Sequence, residues 1–556
     1  MTGDPPSSPA PRRALRADVL AGLAVAGLML PEAVAYAGIA GLPAGHAILA
    51  GIVGCLIYAM AGQSRFAVLS PTSSSAAILA AALAVIPAGI GVRSLFTAIT
   101  VAMAGGVFLL GWLLRLGGLT SFISHPVLRG FSFGLAITIV IKQLPVLTGV
   151  AAPGANVFEI AWEVLAGMPQ WHWASVAVGL IALAALLGLR WTSRLPAALL
   201  VLVAGIAAAH LLDLPAHGVA PVGRIVFEFA MPSFSGLSSE TVFALAQFAF
   251  PLALILLAES WRTTRALALH HGDTLRADRE LRALGLANLG SALVQGMPVG
   301  AGLSATSANE TAGAQTRLAG AAAAIALGAL VLFAMPLVAQ LPQPVLAAVV
   351  VAALTHALDP RPLARLWHLD RDKYIALAAV AGVLVLGVLN GMLCAILLSL
   401  AALIQRFSSS TVLRLGQLAG GHDYVDLARH AEARAPAGIG IWRPAAPLFF
   451  ANAEPLLERI AREARGTPQL HAMVVSLEES VDLDSTALDA LLAFDRQMNG
   501  LSFAPHYARV HDRIRDLLQA SGAHALIGRS YYSVSDAVAA CSEERRCTSP
   551  NPSSTP

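Results

Sequence analysis

From about Val19 to about Phe407 the chain is a succession of apolar runs separated by short polar breaks. Fourteen can be placed, near residues 18–36, 43–61, 72–87, 95–115, 124–148, 172–190, 195–213, 241–263, 281–296, 304–316, 318–340, 344–358, 373–389 and 391–407. Runs of this length and density predict membrane-spanning helices, although several fall short of the roughly 20 residues a straight helix needs to cross. The third and tenth are the clearest short cases. Beyond about Ala437 the pattern changes. GIGIWRPAAPLFFANAEPLLERIAREA reads as a strand, a turn, a second strand and an amphipathic helix, and two further strand–helix alternations follow. Alternation of this kind predicts a small α/β domain. The expected organisation is a polar N-terminal tail (1–17), a transmembrane domain (18–408), a linker (409–436), an α/β domain (437–541) and a disordered polar tail (542–556).

Composition supports lipid as the main solvent. The chain of 556 residues is 56% hydrophobic and 12% charged, against about 25% charged for a soluble domain. The positions of the basic residues test the span count. With the N-terminus inside, Arg12, Arg13 and Arg16 precede the first span, and Arg65, Arg115, Arg190 and Arg194 follow even-numbered spans. So do Arg262, Arg265, Arg276, Arg279 and Arg282, then Arg361, Arg365, Arg371 and Lys373, then Arg406 and Arg414. Only Arg93 and Arg224 fall outside. This is the positive-inside distribution, and one miscounted span would invert it. Both termini are therefore expected in the cytoplasm, and the arginine- and alanine-rich composition points to a bacterial inner membrane. The four cysteines form no metal-ligand or disulfide spacing. No Walker phosphate loop is present, and no nucleic-acid partner is indicated.

The two halves of the membrane region rhyme. The first span carries Glu32 in LMLPEAVAYAGIAG and the eighth carries Glu259 in LILLAESWRTTRAL. After Glu32 comes the hydroxyl cluster Ser70-Pro71-Thr72-Ser73-Ser74-Ser75, with Ser73 41 residues on. After Glu259 comes Gly302-Leu303-Ser304-Ala305-Thr306-Ser307, with Thr306 47 residues on. Seven spans separate the halves, and because seven is odd the repeats must insert with opposite topology. Inverted repeats with broken helices are a transporter design. Unpaired amides and the helix dipole at two facing helix N-termini bind an anion without a cationic side chain. A carboxylate at mid-membrane depth costs at least about 2.5–3.5 kcal/mol, so Glu32 and Glu259 are expected to couple to an ion. Thr263 shares a helix face with Glu259, and the pair offers a sodium site; a proton carried by Glu259 or Glu32 is the alternative. Glu310 either faces the cavity or packs, and His270 and His271 read as a solvated loop pair.

LPEAVAYAGIAGLPAGHA, SHPVLRGFSFG, LGLANLGSALVQGMPVGAGLSATSANETAGAQT, LFFANAEPLLERI and VDLDSTALDALL together resemble the SulP family of anion permeases, in order over residues 15–541. The resemblance implies fourteen spans in a seven-plus-seven inverted repeat with core and gate domains, followed by a cytoplasmic STAS domain. It also implies a homodimer, an elevator movement, and sulfate, bicarbonate, chloride or a dicarboxylate as the anion. On this resemblance the anion lies near Ser73, Ser74, Ser75, Ser304, Ala305 and Thr306, and Glu259 and Thr263 match a sodium-site position. Many members carry Arg where this chain has Ala305, which favours a co-transported proton or sodium ion. In the STAS-like segment, Ser485 stands where a related fold is phosphorylated; the alternative is that Asp484 and Ser485 cap a helix. Two other readings remain beside coupled transport: an uncoupled exchanger or channel, and a membrane-tethered anion sensor.

Overall fold

The computed structural model describes residues 11–84, 90–121, 125–154, 156–192, 197–223, 238–355, 357–369, 372–408, 411–501 and 503–548. Most of the N-terminal tail, the end of the third expected span, Arg194, Arg224, Arg371 and the last residues of the C-terminal tail lie outside them. The chain divides into two compact units, Met1–Ser399 and Leu400–Pro556.

The first unit is helical: α1 (Pro11–Ala40), α2 (Ala44–Ala61), α3 (Ser73–Ala84), α4 (Ile90–Leu113), α5 (His125–Thr148), α6 (Val157–Ala166), α7 (Trp173–Thr192), α8 (Ala197–Leu211), α9 (Ser239–His271), α10 (Ala277–Leu293), α11 (Leu303–Thr311), α12 (Leu318–Val338), α13 (Gln343–Leu354), α14 (Arg361–His368) and α15 (Lys373–Ser408). Five of them, α1, α2, α4, α5 and α9, contain an apolar stretch long enough to cross a membrane straight. Helix α15 is two helices joined at Gly387, whose φ of 80° is non-helical. A Cβ built on Gly382 would lie 3.1 Å from the Gly391 Cα, whereas nine residues of straight helix span about 13.5 Å. The chain therefore folds back on itself there. Counting the two arms of α15 separately and setting aside α6 and α14, fourteen helical segments follow the fourteen apolar runs in order.

The main apolar cluster runs through α1, α2, α3, α4, α9, α10 and α12, with Val25, Ile48, Ile78, Phe108, Leu256, Leu284 and Leu327 fully or nearly fully buried. A second cluster joins α7, α8 and α13 through Leu186, Val201 and Ala348. Two short strands, β1 (Leu69–Ser70) and β2 (Gly300–Ala301), immediately precede the half-helices α3 and α11. They pair antiparallel, Leu69 opposite Ala301 and Ser70 opposite Gly300.

The second unit holds β3 (Val412–Gln417), β4 (Tyr424–Asp426), β5 (Ile439–Pro444), α16 (Ala453–Arg465), β6 (Ala472–Ser476), α17 (Ser485–Gly500), β7 (Pro505–Ala508), α18 (Asp512–Ala520), α19 (His524–Gly528), β8 (Ser530–Tyr531) and α20 (Val534–Thr548). The sheet order is β4-β3-β5-β6-β7-β8, antiparallel at β4, β3 and β5 and parallel from β5 to β8. Alternation along β6 sends Met473 and Val475 to a layer with α16, α17 and α18, and Val474 to a layer with α20. Three expectations change here. Helix α20 runs on to Thr548, so the start of the expected disordered tail (542–556) is helical. Strands β3 and β4 fall inside 409–436, so part of the expected linker is sheet. The expected strand in PAAPLFFAN does not form: Pro444 and Pro447 have no N–H to offer a ladder. Asn452 closes the segment as a loop, donating to the Pro447 carbonyl at 2.9 Å and accepting from the Phe449 amide at 2.9 Å.

Candidate functional site

The pairing of β1 with β2 fixes the geometry of the site. Being antiparallel, the two strands send their chains off in opposite directions, so the N-termini of α3 and α11 face one another in the interior of the first unit. Each strand is held in place by hydroxyls and amides buried beside it. The Ser260 Oγ on α9 accepts from the Ala301 amide at 2.9 Å. Asn288 on α10 accepts from the Val299 amide at 3.0 Å and donates to the Val299 carbonyl at 2.9 Å. Thr306 Oγ1 accepts from the Val68 amide at 3.3 Å.

Two carboxylates close on the two half-helices, and they do so crosswise. Ser74 Oγ donates to Glu259 Oε2 at 2.6 Å, and Ser304 Oγ donates to Glu32 Oε1 at 2.5 Å. The acid of each repeat is thus held by the half-helix of the other. Ser74 and Ser304 are each the second residue of their helix, which makes them equivalent under the inverted repeat. Glu32 is buried and follows Pro31 inside α1, where proline withholds one helical N–H. A narrow cleft opens beside it, lined by Met29, Glu32, Ala33, Gly51, Ser70 and Leu327.

The expected site residues therefore separate into two groups. Ser74, Ser304, Glu32 and Glu259 come together as the crossed pair of contacts. Ser73, the first residue of α3, is half-buried at the same helix start. Ser75 instead completes a reciprocal cap with Thr72: the Thr72 amide donates to Ser75 Oγ at 3.0 Å and the Ser75 amide to Thr72 Oγ1 at 3.2 Å. Thr306 is turned to the strand, as above, and Ala305 is buried between. The equivalent positions are Ser74 and Ser304, so the spacings from the acids are 42 and 45 residues in place of 41 and 47. Thr263 is buried one turn from Glu259, but the hydroxyls that bond that carboxylate are those of Ser74 and Thr72.

Several polar residues here gave no signal in the sequence. Glu280 on α10 is buried and accepts from the Tyr58 hydroxyl through both oxygens, at 3.0 and 2.8 Å. It lies one residue before an expected span boundary and so reads as a loop charge. Asp18 at the start of α1 accepts from the amides of Gln315 and Thr316 at 2.7 and 3.0 Å, tying α1 to the segment before α12. Glu310 meets the expected solvated pair: His271 Nε2 lies 2.9 Å from Glu310 Oε1. In the second unit, Asp484 caps α17, accepting from the Ala487 amide at 2.9 Å and from the Phe450 amide at 2.7 Å. Ser485, next along, is exposed.

Known proteins share both the sequence and the fold. Residues 15–380 match the sulfate permease family and residues 430–537 the STAS domain. A probable sulfate transporter of Mycobacterium tuberculosis is 35% identical over 532 residues, which cover 94% of each chain. The chloroplastic sulfate transporter 4.1 of Arabidopsis thaliana is 26% identical over 555 residues, 94% of this chain and 80% of that one. Among solved structures, the murine Solute Carrier 26 family member A9 anion transporter in the inward-facing state superposes with a TM-score of 0.85 at 19% identity, over 97% of this chain and 92% of that one. The transmembrane domain of the cyanobacterial bicarbonate transporter BicA gives 0.59 at 24% identity, over 69% of this chain and 98% of that one. Both structures show the shared fold. The inverted repeats, their facing half-helices and the matches along nearly the whole length lead to one assignment: this multi-pass membrane chain belongs to the sulfate permease family, a family of anion transporters and not of enzymes, and carries a C-terminal STAS domain.

Proposed function

We propose that the protein is a secondary active transporter of a small oxyanion, sulfate in the first instance, driven by a proton or sodium gradient. The observation that carries this reading is the crossed contact of Ser74 with Glu259 and of Ser304 with Glu32 at two facing helix N-termini. The amides and hydroxyls of those termini suit an oxyanion. The carboxylates beside them do not, unless their charge is cancelled. Two like charges about 4 Å apart repel by about 4 kcal/mol at an effective dielectric constant of 20. A proton on each glutamate, or a sodium ion at Glu259 with Thr263, removes that repulsion and travels with the anion. The loss of the Ser–Glu bond on anion binding frees the hydroxyl to donate to substrate.

On the same reading the half-helices move as one body against α7, α8 and α13 in an elevator step, the protein works as a homodimer in a bacterial inner membrane with both termini cytoplasmic, and Ser485 is a regulatory phosphorylation position at the start of α17. A phosphate there lies at a helix N-terminus, which accommodates it.

The test is uptake of labelled sulfate, bicarbonate and fumarate into liposomes under an inward proton gradient, an inward sodium gradient and neither. One gradient should drive accumulation of one anion, and Glu259→Gln or Glu32→Gln should abolish the drive. Ser74→Ala and Ser304→Ala, each removing a bond to a charged group worth about 1.5–3 kcal/mol, should raise KM by about tenfold or more. Absence of accumulation under every gradient, with binding retained, defeats coupled transport and favours an anion sensor.

A further inference from the structure

The last two residues of α9, His270 and His271, meet Glu310, the last residue but one of α11, at the far ends of the two helices that carry Glu259 and Ser304. Three potential ligand atoms converge. His271 Nε2 lies 2.9 Å and His270 Nδ1 3.7 Å from the same oxygen, Glu310 Oε1, and all three atoms lie within 4.8 Å of one another. Zinc bonds of about 2.0–2.1 Å in a tetrahedron place ligand atoms about 3.3 Å apart, between the two measured separations. The imidazole that must move is that of His270, which is 74% exposed and meets the His271 ring edge-on at 4.8 Å between centroids. That of His271 is held: its ring packs on Phe66 at 4.6 Å between centroids. Phe66 in turn lies under the Arg65 guanidinium, which pairs with Asp273 at 2.8 Å.

The surroundings also favour a cation. Two helices end here, and each C-terminus carries a partial negative charge from its unpaired carbonyls. Gly272, with φ of 73°, stops α9 at this point, so both histidines project from its final turn. We propose that His270, His271 and Glu310 form a binding site for a first-row divalent transition-metal ion, with Zn2+ the best fit and water as the fourth ligand. Two imidazoles and one carboxylate suit zinc, and they discriminate against magnesium and calcium, which take oxygen ligands. On binding, the ion takes the place of the hydrogen bond between His271 Nε2 and Glu310 Oε1. It joins α9 to α11 and so restrains the two helices that hold the crossed Ser–Glu contacts. Its effect on transport rests on the proposed function; the binding itself does not.

The test is titration of tag-free, full-length protein in detergent with ZnCl2, followed by calorimetry and by the thermal unfolding midpoint. We expect one saturable equivalent per chain, a raised midpoint, and no response to MgCl2. His271→Ala and Glu310→Gln should each weaken zinc binding at least tenfold. Glu310→Gln keeps the size and hydrogen-bonding capacity of the side chain, so its zinc-free midpoint should match wild type, and it decides the matter alone should His271→Ala fail to fold. No saturable binding, or an unchanged affinity in the variants, overturns the site. In liposomes, zinc should slow uptake by wild type at least severalfold more than by Glu310→Gln. A chain that binds zinc as described but moves no anion would defeat the transport reading and leave the site standing.

Discussion

His506 on β7 shows how burial sets the behaviour of one residue. Its side chain is 2% exposed, its ring stacks on Tyr531 at 5.8 Å between centroids, and its Nδ1 has no hydrogen-bond partner among the described residues. Desolvation lowers its pKa below the ordinary histidine value, Glu544 at 3.3 Å opposes the shift, and the Arg529 charge adds to it. A histidine that stays neutral in the folded state to a lower pH than in the unfolded state contributes no penalty above about pH 6.5. As the pH falls through that value the unfolded chain takes up the proton first, so stability drops. The unfolding midpoint of the second unit should therefore fall as the pH drops below about 6.5, and His506→Gln should flatten that slope. An equal slope in the variant would place the titration elsewhere. A single histidine in PHYA gives no hint of this, because its burial depends on α20 packing over it. Glu32 and Glu259, by contrast, were legible: a charge inside an apolar run is costly wherever the helix packs. Which hydroxyl meets them was not. Ser73, Ser74 and Ser75 lie within one turn, and their directions follow from where α3 begins, which the pairing of β1 with β2 decides.

At the scale of elements, α1 and α12 cross closely at Gly22. A Cβ at Gly22 would lie 2.6 Å from both the Ala322 Cβ and the Ala323 backbone nitrogen. Small residues permit this approach, which supplies packing where lipid supplies no hydrophobic drive between helices. Gly22→Val should force the two helices apart and destabilise by about 1–3 kcal/mol or more. Gly38→Val, in the same helix with nothing among the described residues within 4 Å of its Cβ, is the control for propensity. Thermal unfolding in detergent should show a lower midpoint for the first variant than for the second; equal midpoints would mean that the crossing is not tight. The apolar runs announced α1 and α12 and even the two short half-helices, because length and hydropathy are local properties. The amphipathic α6 and α14 are too short to show a period, whereas the division of α15 at Gly387 falls close to the break expected between the last two runs, 373–389 and 391–407. Strands β3 and β4 were hidden because strands of three to six residues carry little alternation, and they gain their place only by pairing, β3 with β5 and β4 with β3.

For the molecule as a whole, the legible feature was the odd number of spans between the repeats, and the crossed contacts follow from it. If the two halves were inserted in the same sense, the chains leaving β1 and β2 would run parallel, and the acid of one half could not reach the half-helix of the other. Opposite insertion has a direct consequence for the starts of α1 and α9. Arg16 in α1 and Glu240 in α9 are both exposed and both lie in the first turns of helices related by the repeat, so they should open on opposite sides of the membrane. Cysteines placed at these two positions, in a chain with Cys541 and Cys547 changed to serine, can be challenged with a membrane-impermeant maleimide. Cys55 is buried and Cys394 half-buried in the first unit, and labelling of the otherwise unaltered background corrects for them. In right-side-out vesicles Glu240→Cys should label at once and Arg16→Cys only after permeabilisation. Labelling of both from the same side would remove the inverted repeat, and with it the reason for two helix N-termini to face one another across β1 and β2.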